Sequence, residues 1–209
     1  MSSNSYTAWN EKWTSRYKSG WIQNKGKYLL LRRLFPSLAL KIAPRKKYYR
    51  GVARLIEGTF CDLGCGMGTV VGLYSLYSGK KSFGVDQSLS AMKLATAETR
   101  YFGVSCAFTA SSIYETGIKS ASFDTAYMGQ ILEHLDDEMG ALNEAVRLIR
   151  NGGKLIVSVP REDRIPDPDH VREYTESSLN ALLERLNVGK ISFHDIDPRR
   201  FVVSCRVGK

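Results

Sequence analysis

Two hydropathy periods alternate along the chain from residue 45 to its end. In "PRKKYYRGVARLIEG", apolar positions three and four apart place Tyr48, Val52, Leu55 and Ile56 on one face of a predicted helix that stops at Gly58. "TFCD" then reads as a strand running into glycines, "TVVGLYSLYSG" as a helix ending at Gly79, and "SFGVD" as a second strand. "SLSAMKLATAETRYFG" predicts a helix with Ser88 as its N-cap and Gly103 as its stop. "VSCAFTA" and "FDTAYMG" read as two further strands. "DDEMGALNEAVRLIRNGG" predicts a helix with Met139, Leu142, Val146 and Ile149 on its inner face; acids at its start and Arg147 and Arg150 near its end match its dipole. "KLIVSVP" is a fifth strand, "TESSLNALLERLNVG" a helix burying Leu179, Leu182, Leu183 and Leu186, and "KISFHDI" and "RFVVSCRVG" two closing strands.

Strands separated by helices pair in parallel through right-handed crossovers, so the first five predict an open, doubly wound α/β sheet with helices on both faces. Only "DPR" separates the last two strands, too little for a crossover helix. The prediction is therefore seven strands, mostly parallel, with an antiparallel C-terminal hairpin strand.

The 209 residues, 43% hydrophobic and 24% charged, suit one globular domain. The most apolar early stretch, "YLLLRRLFPSLALKIAP", is interrupted by Arg32, Arg33, Pro36 and Lys41, so no membrane span is expected. No signal-peptide pattern precedes it, and a cytoplasmic location is expected. Cys61, Cys65, Cys106 and Cys205 lack CxxC spacing, and His134, His170 and His194 are scattered. Reduced, mostly buried thiols and no metal site follow as expectations. The net charge of +9 is unevenly spread: residues 1–57 hold 13 Lys/Arg against two Asp/Glu, residues 58–209 hold 17 against 19. That asymmetry points to an acidic partner of the N-terminal segment, such as anionic lipid, an acidic substrate or nucleic acid; a solvated basic helix face explains it equally.

The stretch "FCDLGCGMGTV" falls where an open parallel sheet binds ligands, beyond the carboxyl end of its first strand. A Walker-type phosphate loop would need a lysine after Gly68, and a dinucleotide fingerprint a glycine at Thr69; the spacing present is GxGxG with Asp62 before it. "DLGCGMG" resembles the first motif of the class I S-adenosylmethionine-dependent methyltransferases, and Asp86 in "SFGVDQS" resembles their ribose-binding acid. "FDTAYMGQILEHLDD" and "RLIRNGGKLIVSVP" are similar to that family's later motifs, with Asn151 where proline is usual, and "HVREYTESSLNALLERL" resembles the branch that methylates small molecules and lipids. The resemblance covers residues 45–209. It implies a Rossmann-like fold, S-adenosyl-L-methionine as cofactor and S-adenosyl-L-homocysteine as product. It also implies a cofactor pocket made by Asp62, Gly64, Cys65, Gly66, Gly68, Asp86, Gln87, Ser112, Ile113, Gly129 and Gln130. Ser112 and Ile113 stand where the family often has an acid and a small residue against the adenine. Gln130 also admits a purely local role as a helix cap or surface amide.

Methyl transfer from a sulfonium is a single displacement that chiefly needs alignment. A base helps a hydroxyl acceptor, and the candidates are His134, His170 and Glu133. His134 equally fits a packing role at a helix start, His170 a turn-stabilising one, and His194 reads as structural. Residues 1–44 read as a basic, aromatic helical cap or lid. Trp9, Trp13, Tyr17 and Trp21 recur every fourth residue, a stripe that suits core packing better than a lid over cofactor and acceptor. Residues 25–50 mix leucines with basic residues and could rest on an anionic membrane surface, delivering a lipid-like acceptor. A nucleic-acid methyltransferase and a non-catalytic binding subunit are the alternatives. "GQILEHL" in place of an Asn-Pro-Pro-Tyr type motif argues against the first, and the intact glycines with Asp86 against the second.

Overall fold

The computed structural model describes residues 46–102, 104, 106–161 and 169–208, together with Glu11. The expected N-terminal cap with its Trp9, Trp13, Tyr17 and Trp21 stripe lies outside the described residues, as do Gly103 and most of the Pro/Asp loop before His170.

Five helices and seven strands follow in the expected order among the described residues: α1 (Lys46–Ala53), β1 (Phe60–Leu63), α2 (Thr69–Ser78), β2 (Ser82–Asp86), α3 (Leu89–Phe102), β3 (Cys106–Ala110), β4 (Phe123–Gly129), a 3-10 turn (Leu132–His134), α4 (Glu138–Leu148), β5 (Ile149–Pro160), α5 (Glu176–Glu184), β6 (Ser192–Phe193) and β7 (Arg200–Arg206). The sheet order is β3-β2-β1-β4-β5-β7-β6. The first five strands pair in parallel, and β7 lies antiparallel between β5 and β6. Strand order reverses between β1 and β4, which opens a crevice at their carboxyl ends.

Alternate residues along each central strand feed different cores, because successive side chains point to opposite faces. Cys61, Leu63, Ala126, Met128, Leu155, Val157 and Val203 pack with α4 and α5. Phe60, Tyr127, Ile156 and Val202 pack with α1 and Tyr74 of α2. Both faces are therefore dry, and Asp62, between Cys61 and Leu63, shares the α1–α2 face of the sheet with Phe60.

Three element boundaries differ from expectation. Helix α1 stops at Ala53 rather than Gly58: Leu55 N donates to Val52 O (2.9 Å) in a tightened last turn. Glu57 then exchanges two hydrogen bonds with Thr125 Oγ1, drawing the chain onto the sheet. Helix α4 stops at Leu148, because Ile149 leaves helical geometry (φ −86, ψ 139) to pair with Phe123. Its buried face is consequently Ala141, Leu142, Glu144, Ala145 and Leu148, with Met139 and Val146 only partly covered. Arg150, expected in the last helical turn, instead binds Asp124 at 2.6 Å. The run "KISFHDI" forms regular strand only over Ser192 and Phe193, with His194 N adding one bond to Val202 O (2.8 Å). Other signals hold: Ser88 Oγ accepts from Ala91 N (3.2 Å), and Gly79 closes α2 at φ +68.

Glu144 on α4 fixes the loop that leads away from β3. Its carboxylate accepts Thr116 N (2.8 Å), Thr116 Oγ1 (2.6 Å) and the Arg147 guanidinium (2.6 Å). Arg147, with the Thr116 hydrogen bonds, outweighs burial and holds this carboxyl down at about 2. A depressed folded-state value stabilises fully above the ordinary glutamate range and is lost as pH falls towards it. Urea unfolding between pH 5 and pH 2 is expected to show wild-type stability dropping by up to about 3 kcal/mol, with a shallower fall in Glu144→Gln; parallel profiles would contradict this.

Candidate functional site

The glycine loop is set by two ends of the sheet at once. Gly64 N and Cys65 N both donate to Val85 O (2.8 and 3.0 Å), and Gly66 N donates to Asp86 Oδ2 (2.9 Å), so the loop folds back over the end of β2. Gly64 sits at φ +78, and a Cβ there would lie 2.7 Å from the Ile131 side chain. Gly68 sits at φ +66, with Ala95 and the Phe108 ring at 2.7 and 2.8 Å from an added Cβ. Backbone conformation and crowding together therefore demand glycine at these two positions.

Two carboxylates stand at this loop. Asp62 is 2% exposed, and among the described residues no hydrogen-bond donor reaches it. Burial, and then the Asp86 charge, push its carboxyl well above the usual range. Asp86 accepts from Gly66 N and from Ser88 N (2.9 Å each); burial outweighs these bonds and raises it too. A carboxylate offers about four acceptor positions, so Asp86 keeps two beyond those the backbone uses. A buried, unpartnered carboxylate is costly and suits a cationic ligand group, and the spare acceptors suit vicinal hydroxyls. S-Adenosylmethionine carries both, so the residues present fit it.

The remaining expected pocket residues fall around this crevice with differing roles. The Cys65 thiol is buried and pushed well up by that burial, so it serves as a small packing group in the loop. Gln87 is partly buried between Asp86 and α3. Ser111 N donates to Asp86 O (3.0 Å), which seats the end of β3 beside β2. Ser112 is exposed just beyond, its Oγ accepting from Tyr114 N (3.2 Å), while Ile113 turns in against the α4–α5 core. Gly129 leaves room for the Tyr127 ring: an added Cβ would meet its hydroxyl at 2.0 Å.

Gln130 is neither a helix cap nor a surface amide. It adopts a left-handed backbone (φ +56), unusual for a residue other than glycine, and its N donates to Ser158 O (2.8 Å). Its Oε1 accepts from Arg200 Nε (3.2 Å) and its Nε2 donates to Ser158 Oγ (3.5 Å). Arg200, buried itself, pairs with Asp197 (2.5 Å) and lies over the Tyr48 ring, whose hydroxyl bonds Tyr127 (2.7 Å) and Ser158 (3.0 Å). This polar wall behind the end of β4 draws on α1, β4, β5 and the β6–β7 turn. No sequence signal announces it, because its members, from Tyr48 to Arg200, are far apart in the chain and share no periodicity.

The catalytic candidates converge. His134 ends the 3-10 turn after β4, and its Nδ1 lies 3.0 Å from Asp169 O; a carbonyl only accepts, so Nδ1 carries a proton. Val171 N donates to Glu133 O (2.9 Å), which ties the 169–171 segment to the same turn. The His134 and His170 rings meet edge to face at 4.9 Å. Glu133, Leu132 and Leu135 are buried, whereas both imidazoles are partly open. His194 is separate and structural, bonding Ser204 Oγ at 2.8 Å. Histidines that are scattered in sequence are thus paired in space, which spacing alone could not reveal.

Residues 61–157 match the family described as the methyltransferase domain. A probable S-adenosylmethionine-dependent methyltransferase of Mycobacterium tuberculosis is 28% identical over 143 residues, 65% of this chain and 50% of that protein. An O-methyltransferase of Pyrenophora dematioidea is 27% identical over 118 residues, 55% of this chain and 44% of its own. The chain spans about half the length of such curated relatives or less. Among solved structures, a SAM-dependent methyltransferase from Aquifex aeolicus superposes with a TM-score of 0.66 at 18% identity, over 82% of this chain and 98% of that one. The motif order, the sheet topology and the match to the methyltransferase domain across residues 61–157 agree in supporting a class I S-adenosylmethionine-dependent methyltransferase.

Proposed function

We propose that the chain transfers a methyl group from S-adenosylmethionine to an oxygen or nitrogen of a small-molecule or lipid-like acceptor. The observation that carries this reading is the pair of strand-end carboxylates, Asp62 and Asp86, raised by burial and set against the Gly64–Gly68 loop. Asp86 receives the ribose hydroxyls on its spare acceptor positions, and Asp62 faces the cationic end of the ligand. Gly64, Cys65, Gly66 and Gly68 let backbone approach it closely, Gln87, Ser112 and Ile113 border the adenine, and Gly129 and Gln130 close the floor at the end of β4. When bound, the cofactor supplies an electrophilic methyl: the acceptor lone pair forms the new bond and the broken C–S pair stays on sulfur. The chain's task is then to orient the acceptor and receive its proton, and His134 and His170 stand where the acceptor would enter, at the crevice beside β4. The name of the Pyrenophora relative favours oxygen as the acceptor atom.

A second reading concerns partners. Lys47 and Arg50 on α1 and Arg54 just after it are exposed and line an open concavity with Asp195 and Ile196, so the described fold itself presents basic surface at this end. This supports peripheral contact with an anionic membrane, with RNA as the competing occupant. No helix among the described residues is long and apolar enough to cross a membrane.

Calorimetric titration with S-adenosylmethionine is expected to show one site, weakened roughly 10- to 100-fold by Asp86→Ala, since bonds to a charged acceptor contribute about 1.5–3 kcal/mol. Unchanged affinity would remove the pocket assignment. A cationic group beside Asp62 lowers a carboxyl that burial had raised. Affinity is therefore full above the ligand-free value and falls as pH drops below it, and binding in that range releases protons. Heats measured in buffers of different ionisation enthalpy should reveal the release, and Asp62→Asn should shrink it; buffer-independent heats in the wild type would tell against a cation at Asp62. Flotation with phosphatidylserine liposomes is expected to carry the protein, with loss of binding in a Lys47→Glu, Arg50→Glu, Arg54→Glu variant. Retention on RNA without flotation would favour the competing partner.

A further inference from the structure

Glu133, His134 and His170 present one carboxylate oxygen and two imidazole nitrogens that all lie within 4.8 Å of one another. We propose that these three side chains form a site for a divalent first-row metal ion of the zinc class, on the acceptor side of the pocket. The inference rests on the methyltransferase reading for its purpose, though not for its geometry.

Four features support it. The donor set is N, N and O, which zinc, cobalt and nickel accept readily and which magnesium and calcium, preferring all-oxygen shells, do not. His134 Nδ1–H is given to the Asp169 carbonyl, so in the neutral ring Nε2 is the lone-pair donor, which is the usual orientation of a metal-binding imidazole held by a backbone acceptor. The positions are braced from both sides. His134 and Glu133 follow the end of β4 in a tight turn whose His134 N and Leu135 N bond back to Ile131 and Leu132, and the Val171 N to Glu133 O bond fixes the chain next to His170. Finally, Glu133 places a carboxyl oxygen in the cluster at 1% exposure while the two imidazoles remain partly open. Three protein ligands with an accessible remaining position is the arrangement of catalytic rather than structural zinc sites.

Ligand atoms about 2.0–2.2 Å from zinc lie roughly 3–3.5 Å apart. Closing a spread of at most 4.8 Å to that value needs side-chain adjustments of about an ångström, within reach of two partly exposed imidazoles. An acceptor hydroxyl entering as a further ligand would be acidified by the metal. Its O–H bond then breaks with the proton passing to solvent water, and the oxygen lone pair becomes available at neutral pH without a protein base. Under this arrangement the two histidines act as ligands rather than as proton acceptors, and the acceptor's oxygen is selected because it must also bind the metal.

The test uses the full-length chain, stripped with a chelator and titrated with zinc and, separately, with cobalt. Expected are one zinc per chain by calorimetry and a cobalt visible absorption typical of nitrogen and oxygen ligation. Affinity should fall at least about 100-fold in His134→Ala, His170→Ala and Glu133→Gln, since even outer-shell changes cost 10- to 100-fold, and stay unchanged in His194→Ala. Binding of S-adenosylmethionine should persist in all of these variants, which keeps the metal question separate from the cofactor pocket. Should His134→Ala fail to fold, His170→Gln, in the more open segment, carries the same expectation. No zinc or cobalt bound by the wild type, or binding that survives the His134→Ala, His170→Ala double variant, would overturn the site. Loss of cofactor binding with metal binding intact would instead count against the methyltransferase reading alone.

Discussion

Every feature of this pocket depends on β1 being a central parallel strand buried on both faces. Its neighbours β2 and β4 leave its backbone no water to bond with, so the chain leaving Leu63 must find partners at the strand ends. It finds them in Val85 O and the Asp86 carboxylate, and this fold-back brings three glycines, two aspartates and the start of α2 into a few ångströms of space. A side chain at Gly64 or Gly68 would collide with Ile131, or with Ala95 and Phe108, elements that are themselves held by the sheet. Loop conformation and sheet packing are therefore one constraint.

Burial dominates the electrostatics that result. Asp62 and Asp86 are both raised chiefly by loss of water, and the Asp86 charge adds second to the rise at Asp62. Asp86 regains part of that cost from two backbone N–H groups, whereas Asp62 has no such donor among the described residues. That imbalance makes the site attractive to a cation in a protein region that otherwise repels charge. The cysteines beside these acids are driven in the opposite functional direction: burial holds the Cys61 and Cys65 thiols neutral, so they serve as small packing residues.

Elsewhere among the described residues several charged side chains are paired locally. Arg200 meets Asp197, Gln130 and the Tyr48 ring; Glu144 meets Thr116 and Arg147; Tyr174 donates a short bond to Glu138, which also holds Arg172. Each of these groups pins a loop to a helix or strand at the pocket's edge. A buried pair of this kind contributes little net stability over an apolar substitute, yet loss of one partner is costly, so its effect is to fix one loop arrangement.

Much of this was legible in the sequence because it is local. Helix and strand order follow from hydropathy period, the antiparallel strand from a three-residue connection, and the glycine loop from spacing that turn geometry enforces over a handful of residues. Boundaries such as Leu148 or Ala53 were not legible, because Ile149 leaves its helix only to pair with Phe123, a partner supplied by the sheet. The same holds for the site's outer half. The sequence by itself determined a doubly wound sheet with two acids flanking a glycine loop, since those features are encoded by neighbours along the chain. Only the tertiary structure decided that His170 meets His134, that Gln130 belongs to a buried Arg200 network and that Asp62 stands without a donor among the described residues, because each depends on which distant segments the packed sheet brings together.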